Sequence, residues 1–321
     1  MKYYAGIDLG GTKIATGVVD ENFRFIASHS VPTGKHRSFE VIVADMASAT
    51  LTVIEQAGRT LDDFDTIGIG VPCSQNPKNG RPAFANNLGW KNVPIVEEFR
   101  KHIDKTVRWA NDADCAALGE ALAGTAKQYG SMLFITLGTG IGGGLILNGK
   151  IFTGGDGAGI EPGHSTLILD GFPCTCGRRG CFESYGSITG LIRQTIEAIA
   201  ADPHTQMREI CGNDITRVNG RTAFDAAKMG DPSGQKVVDE YVHYVGSGIS
   251  SLVSVFRPHA VLIGGGISNE GEYLLTPIRR VVDESMFAKG VLETPIVMKA
   301  SLGSEAGIIG AALLETQNDF G

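Results

Sequence analysis

No hydrophobic stretch in this sequence runs far before glycine, proline or a charge breaks it, so no transmembrane helix is expected. The opening residues, MKYYAGIDLGG, lack a basic segment followed by an apolar one and do not read as a signal peptide. A surplus of positive charge is missing too. Lys and Arg number 28 against 35 Asp and Glu, a net charge of −7. An acidic surface argues against nucleic acid or anionic membrane as the main partner, because phosphate backbones reward clustered basic side chains. Cysteine is sparse, and its spacing is not that of a disulfide framework. Cys174, Cys176 and Cys181 crowd together, whereas Cys73, Cys115 and Cys211 are scattered. In a cytosolic chain a thiol cluster is more often a metal site than a disulfide. A cytoplasmic protein is the expectation.

What is present suits a folded, well-packed protein. The 321 residues fit one large or two medium α/β domains, and a hydrophobic content of 42% can fill a real core. Glycine is abundant, at 44 residues, and dense at 138–144, 154–163 and 264–266. That pattern indicates loops whose backbone must come close to something.

Residues 3–8, 14–19 and 23–30 read as three consecutive strands separated by turns. A helix follows from about Ser38, a candidate cap, to Gly58, with Ile42, Met46, Ala49 and Val53 at helical spacing. Strands are expected at 67–71 and 107–110, and helices at 94–101 and 112–126. The pattern then restarts. Ile135-Thr-Leu-Gly-Thr echoes Ile7-Asp-Leu-Gly-Gly, and each precedes a second apolar strand. This is either two copies of one phosphate-facing hairpin or two unrelated glycine turns. Residues 150–185 read as a long irregular loop, which in a compact protein is usually functional. Helices at 187–201, 223–229, 233–256, 272–286 and 304–316 and strands at 260–263 and 295–298 complete the chain. Two rounds of mixed strands and helices imply two α/β domains with a cleft between them. The expected division is 1–116 plus 304–321 against 117–303.

Three glycine loops follow strands. In Asp8-Leu9-Gly10-Gly11-Thr12-Lys13, the glycines can offer bare backbone N–H groups to phosphate, Thr12 adds a hydroxyl and Lys13 a cation. Asp8, at the strand end, can hold Mg²⁺ directly or through water. Gly138-Thr139-Gly140 and Gly264-Gly265-Gly266 are the other two, the last suited to a flat base or ribose lying on backbone. Each alone reads equally as a tight turn. None is a P-loop, which needs Gly-Lys-Ser/Thr. Asn111-Asp112 begins at a strand end and opens a helix, where backbone N–H groups fix a carboxylate. On its own Asp112 reads as an N-cap.

Two further runs carry a family likeness: Glu161-Pro162-Gly163-His164, and Cys174-Thr175-Cys176-Gly177-Arg178-Arg179-Gly180-Cys181-Phe182-Glu183. With Asn111–Glu120, which reads N-D-x-x-x-A-x-x-G-E, they match the E-x-G-H, C-x-C-G-x-x-G-C-x-E and Asn-Asp…Gly-Glu elements of the ROK kinases. The chain thus resembles that family, a branch of the sugar kinase, actin and Hsp70 superfamily, over nearly its whole length. The resemblance implies two ribonuclease-H-like (actin-like ATPase) domains closing on ATP and a sugar. It implies phosphate contacts from Asp8–Lys13 and Leu137–Gly140, with Gly264–Gly266 near adenosine. Asp112 becomes the base, and Asn87, Asn111, Asp112, Glu161, His164 and Glu183 the sugar contacts. Trp90 packs below the pocket or in the core. One histidine and three cysteines, His164, Cys174, Cys176 and Cys181, can close a structural zinc shell. Unliganded thiols or a Cys174–Cys176 disulfide are the alternatives. Arg178 and Arg179 read as solvated loop charges.

The expected reaction is ATP- and Mg²⁺-dependent phosphorylation of a hexose. Glucose comes first as the family default, with fructose, mannose, allose, N-acetylglucosamine and N-acetylmannosamine as rivals. A sugar-sensing repressor would carry a winged helix-turn-helix ahead of the first phosphate motif, and here Asp8 is the eighth residue. The E-x-G-H and cysteine elements argue against an ATPase of the actin or Hsp70 type. A homodimer, or a tetramer, is the expected assembly.

Overall fold

The computed structural model describes residues 1–85 and 88–317. They form two compact units: Met1–Phe134 with Gly144–Ile160 and Ala300–Gly321, and Ile135–Gly143 with Glu161–Lys299.

Unit one is built on β1 (Tyr3–Leu9), β2 (Lys13–Asp20) and β3 (Phe25–Pro32), followed by α1 (Phe39–Gln56) and β4 (Thr66–Val71). A small sheet of β5 (Ser74–Gln75), β6 (Pro82–Ala85) and β7 (Trp90–Lys91) comes next, then α2 (Ile95–Arg100), β8 (Thr106–Asn111) and α3 (Asp112–Leu122). The main sheet runs β3-β2-β1-β4-β8. Its burial follows position. β4 is buried at every residue, as a central parallel strand covered on both faces should be, whereas β3 alternates as a one-faced strand does. α1 covers one face with Ile42, Met46, Ala49 and Val53, as its spacing predicts. Ser38 stands at its N-cap but makes no side-chain cap bond.

Helix α10 (Ala306–Ala312) packs against β1, β4 and α3. It comes so near that a Cβ on Gly68 would lie 1.7 Å from the Ala311 carbonyl oxygen, and one on Gly6 2.2 Å from that of Ile308. Register then sets the chemistry. β1, β4 and β8 are parallel, with Asp8 beside Gly70 and Gly70 beside Ala110. Asp8 and the Asn111-Asp112 step therefore emerge at the same carboxyl-end edge, where open α/β sheets bind ligands.

The second five-stranded sheet runs β11-β10-β9-β12-β13, from β9 (Met132–Leu137), β10 (Ile141–Leu147), β11 (Lys150–Ile151), β12 (Ala260–Gly264) and β13 (Ile296–Lys299). The unit boundary passes through β9 and β10. In both sheets the order is third, second, first, fourth, fifth. The echo between Ile7 and Ile135 thus corresponds to a repeated topology. Unit two's helices are α4 (Glu183–Gly186), α5 (Ile188–Ala201), α6 (Gln206–Ile210), α7 (Thr222–Lys228), α8 (Pro232–Phe256) and α9 (Glu272–Ser285). Asp231 caps α8 by accepting from Ser233 and Gly234 N–H, with Pro232 in the first turn.

The division differs from the expected 1–116/117–303 split. Residues 117–134 and 144–160 belong to unit one. The reason is packing that no linear pattern records. Gly119 of α3 lies against Ala306, and Gly310 against the Cys115 carbonyl, so α3 and α10 are locked together. Several edges also move: α3 ends at Leu122 rather than 126, and the β5-β6-β7 sheet and α6 answer to no expected element. Phe23 sits in a turn with φ of 63°, so β3 starts at Phe25 rather than 23. The final helix is α-helical only over Ala306–Ala312, with a 3₁₀ turn on each side. Among the described residues no helix is long and apolar enough to cross a membrane.

Candidate active site

The hairpin tip between β1 and β2 is closed by Gly10 N–H donating to the Lys13 carbonyl at 2.9 Å. Thr33, just past the end of β3, braces it, its hydroxyl donating to the Gly10 carbonyl at 2.7 Å and its N–H to that of Thr12 at 3.0 Å. Thr12 and Lys13 are exposed, with Gly11 half-buried between them and Gly10. Asp8, one residue before β1 ends, is half-buried. Burial first, and then the Asp112 charge, push its carboxyl up to about 6, with Lys13 pulling the other way. Two carboxylates thus share one corner of unit one, an arrangement short of positive charge.

The start of α3 corrects one sequence reading. The N-cap is Asn111, not Asp112: the Asn111 amide oxygen accepts from Ala113 N–H at 2.8 Å and Asp114 N–H at 3.3 Å. Its amide nitrogen donates to the Cys73 carbonyl at 3.2 Å. Asp112, in the first turn, also accepts from Ala113 N–H at 2.8 Å. Capping by its neighbour frees Asp112 from being merely a helix start. Glu120, fully buried at the far end of α3, accepts from Leu302 N–H at 2.6 Å and Ser301 hydroxyl at 3.1 Å. It ties α3 to the turn that leads into α10. Trp90 belongs to the core, edge-on to Phe39 at 5.0 Å. Asn87 lies outside the described residues.

In unit two the loop Gly138–Gly140 closes like the first, with Gly138 N–H donating to the Gly140 carbonyl at 3.0 Å. Ile188 N–H donates to the Gly138 carbonyl at 2.8 Å, and the Thr189 hydroxyl to that of Thr139 at 2.7 Å. Gly265 has φ of 84°, and a Cβ on it would strike the Leu137 carbonyl oxygen at 2.2 Å, so glycine is required there. Gly266 opens onto a cavity of about 460 Å³ lined by Ile188, Gly220, Arg221, Lys228, Ile267, Asn269 and Glu270. Lys228 and Glu270 form an ion pair at its rim.

Glu161 precedes a single 3₁₀ turn, Pro162–His164. The ligand atoms of His164, Cys174, Cys176 and Cys181 all lie within 4.8 Å of one another. Cys174 Sγ is 3.6 Å from His164 Nδ1, and Cys176 Sγ is 3.7 Å from Cys181 Sγ. A tetrahedral zinc with bonds of about 2.3 Å to sulfur and about 2.0 Å to nitrogen places its donors roughly 3.5–3.8 Å apart, so these residues fit that ion. The thiols are free, which removes the Cys174–Cys176 disulfide. Burial, with the neighbouring thiols of Cys176 and Cys174, pushes the Cys181 thiol up to about 12. A third thiolate is costly there unless a cation joins it.

Two contacts escape sequence reasoning. Arg178 is not a merely solvated charge: its guanidinium donates to the His164 carbonyl and to the Thr166 hydroxyl, both at 3.0 Å. Glu183 accepts from Ile141 N–H at 2.9 Å, next to the glycine loop. Neither follows from spacing, because each depends on how the cysteine loop folds back.

Residues 4–318 match the ROK family. The chain belongs to the ROK family. It is 35% identical to a glucokinase of Streptomyces coelicolor over 316 residues, covering 98% of each chain. It is 30% identical to an N-acetyl-D-glucosamine kinase of Pasteurella multocida, covering 98% of this chain and 99% of that one. A ROK family glucokinase from Streptomyces griseus, solved in complex with glucose and AMPPNP, superposes with a TM-score of 0.81 at 33% identity, covering 97% of this chain and 98% of the other. The mixed α/β fold is thus that of the ROK glucokinases. The E-x-G-H and cysteine elements of this ROK chain come together around one donor cluster in unit two.

Proposed function

We propose that this chain is a cytoplasmic, ATP-dependent hexose kinase that transfers the γ-phosphate to the 6-hydroxyl of glucose. The observation that carries the reading is Asp112. It lies, half-buried, at the carboxyl-end edge of a sheet, beside the half-buried Asp8 carboxylate, in a chain similar along its length to glucokinases.

Asp112 accepts the proton of the 6-hydroxyl as that oxygen attacks the γ-phosphorus. The bond to the bridging oxygen breaks, and ADP leaves with the electron pair. Positioning and charge neutralisation supply most of the catalysis in phosphoryl transfer, and the base adds to them. Sugar hydroxyls lose water on binding and need directional partners. Asn87, Asn111, Glu161, His164 and Glu183 supply these. His164 turns Nδ1 toward Cys174, so Nε2 serves the sugar. Gly10, Gly11, Thr12, Lys13, Gly138, Thr139 and Gly140 hold phosphates, and Gly264–Gly266 with their cavity hold adenosine. Asp8 would hold magnesium, which when bound neutralises phosphate charge; the raised carboxyl beside Asp112 supports this. His164, Cys174, Cys176 and Cys181 would hold zinc, which cross-links the loop carrying Glu161 and Glu183.

A coupled ADP-release assay with Mg-ATP and a panel of hexoses and N-acetylhexosamines tests the reading. Glucose-dependent turnover is expected, falling by about 10²-fold or more in Asp112→Asn. Zinc-loaded, folded protein that turns over no sugar would sink it. The similarity to an N-acetyl-D-glucosamine kinase supports a second reading, and preference for that sugar in the same panel would establish it.

A further inference from the structure

Ile141, the first residue of β10, follows directly on the Gly138–Gly140 loop, and it is gripped from two sides. On one side Gly163 lies so close that a Cβ there would sit 2.2 Å from the Ile141 carbonyl oxygen. On the other, Glu183 Oε2 accepts the Ile141 N–H at 2.9 Å and presses on Gly140, where a Cβ would meet it at 2.3 Å. Both gripping residues are close in sequence to metal-site donors. Gly163 precedes His164, and Glu183 is two residues after Cys181. The second Glu183 oxygen turns back to the cysteine loop, accepting from the Thr175 hydroxyl at 3.3 Å. The loop's own carbonyls are held by Ile188 N–H and the Thr189 hydroxyl, just after α4, which Glu183 begins.

We propose that Glu183, besides its sugar contact, is a positioning residue for the glycine loop, joining it to the metal-binding loop so that zinc occupancy sets the affinity for nucleotide phosphates. This rests on the reading of Gly138–Gly140 as a phosphate loop. Its physical basis is that a glycine-rich tip presents ordered N–H groups only if its neighbours fix it. The residues that fix this one are anchored by the four donors.

Two measurements on the full chain test it. The first is amide hydrogen exchange at Ile141 in the zinc-loaded protein, after chelation, and in Glu183→Ala and Glu183→Gln. Exchange on the order of tenfold faster is expected in Glu183→Ala and on chelation, as for loss of one charge-assisted bond. Glu183→Gln, which keeps an acceptor oxygen, should retain most of the protection. The second is calorimetric binding of AMPPNP and of adenosine. The analogue should bind about tenfold more weakly in Glu183→Ala and after chelation, with adenosine unchanged. Unaltered Ile141 exchange in Glu183→Ala or after chelation would overturn the proposal, as would equal losses for adenosine and analogue. Zinc-loaded wild type that binds no AMPPNP would instead refute the kinase reading, and the exchange data would still decide the grip on Ile141.

Discussion

Asp8 holds its proton to a higher pH than an ordinary carboxyl because it is buried beside Asp112. Its value in the folded chain, about 6, lies above the ordinary 3.8, so folding takes up a proton between those values. The stability this contributes is complete below about pH 4 and is lost as pH rises through about 6. Asp8→Asn should therefore stabilise the chain at pH 8, by on the order of 2–3 kcal/mol, and the gain should vanish near pH 4. Urea titrations at the two pH values measure this, and an equal effect at both would contradict it. Kinase activity should be lost in the same variant. At this scale the sequence was legible where chemistry needs a particular residue type. His164, Cys174, Cys176 and Cys181, named together from motifs, gather into one donor cluster. The sequence was opaque where a side chain acts through the fold, as with Asn111 capping α3 or Arg178 bracing the His164 carbonyl.

Elements were read well where one periodicity ruled. The stripe on α1 and the unbroken burial of β4 both follow from sequence, because each element faces a single kind of environment. Their mutual distances do not. α10 lies against β1, β4 and α3 only because Gly6, Gly68, Gly119 and Gly310 lack side chains. A Cβ at Gly310 would fall 1.6 Å from the Cys115 carbonyl oxygen, backbone against backbone. Gly310→Ala should cost roughly 3 kcal/mol or more, seen as a lower urea midpoint. Gly130→Ala, where the new methyl meets nothing within 4 Å, should stay within about 0.5 kcal/mol of wild type. Equal effects would show that the close approach of α10 does not constrain unit one.

Across the whole molecule, the repeat suggested by two short glycine strings is a repeat of sheet order, β3-β2-β1-β4-β8 and β11-β10-β9-β12-β13. If zinc closes the shell of His164, Cys174, Cys176 and Cys181, it staples the loop that leads into α4. Chelation should then lower the calorimetric unfolding temperature by roughly 10 °C, and zinc but not magnesium should restore it. An unchanged temperature would mean that the donors carry no metal. Periodicity and donor type are local properties, so the family, most of the longer strands and helices and the four clustered donors were legible before folding, whereas the short β5-β6-β7 sheet was not. That α3 belongs with α10, that Asn111 does the capping and that Glu183 grips Ile141 emerge only in the folded chain. Those are contacts between residues distant in the chain or turned by a loop, and their geometry exists only once the backbone is folded.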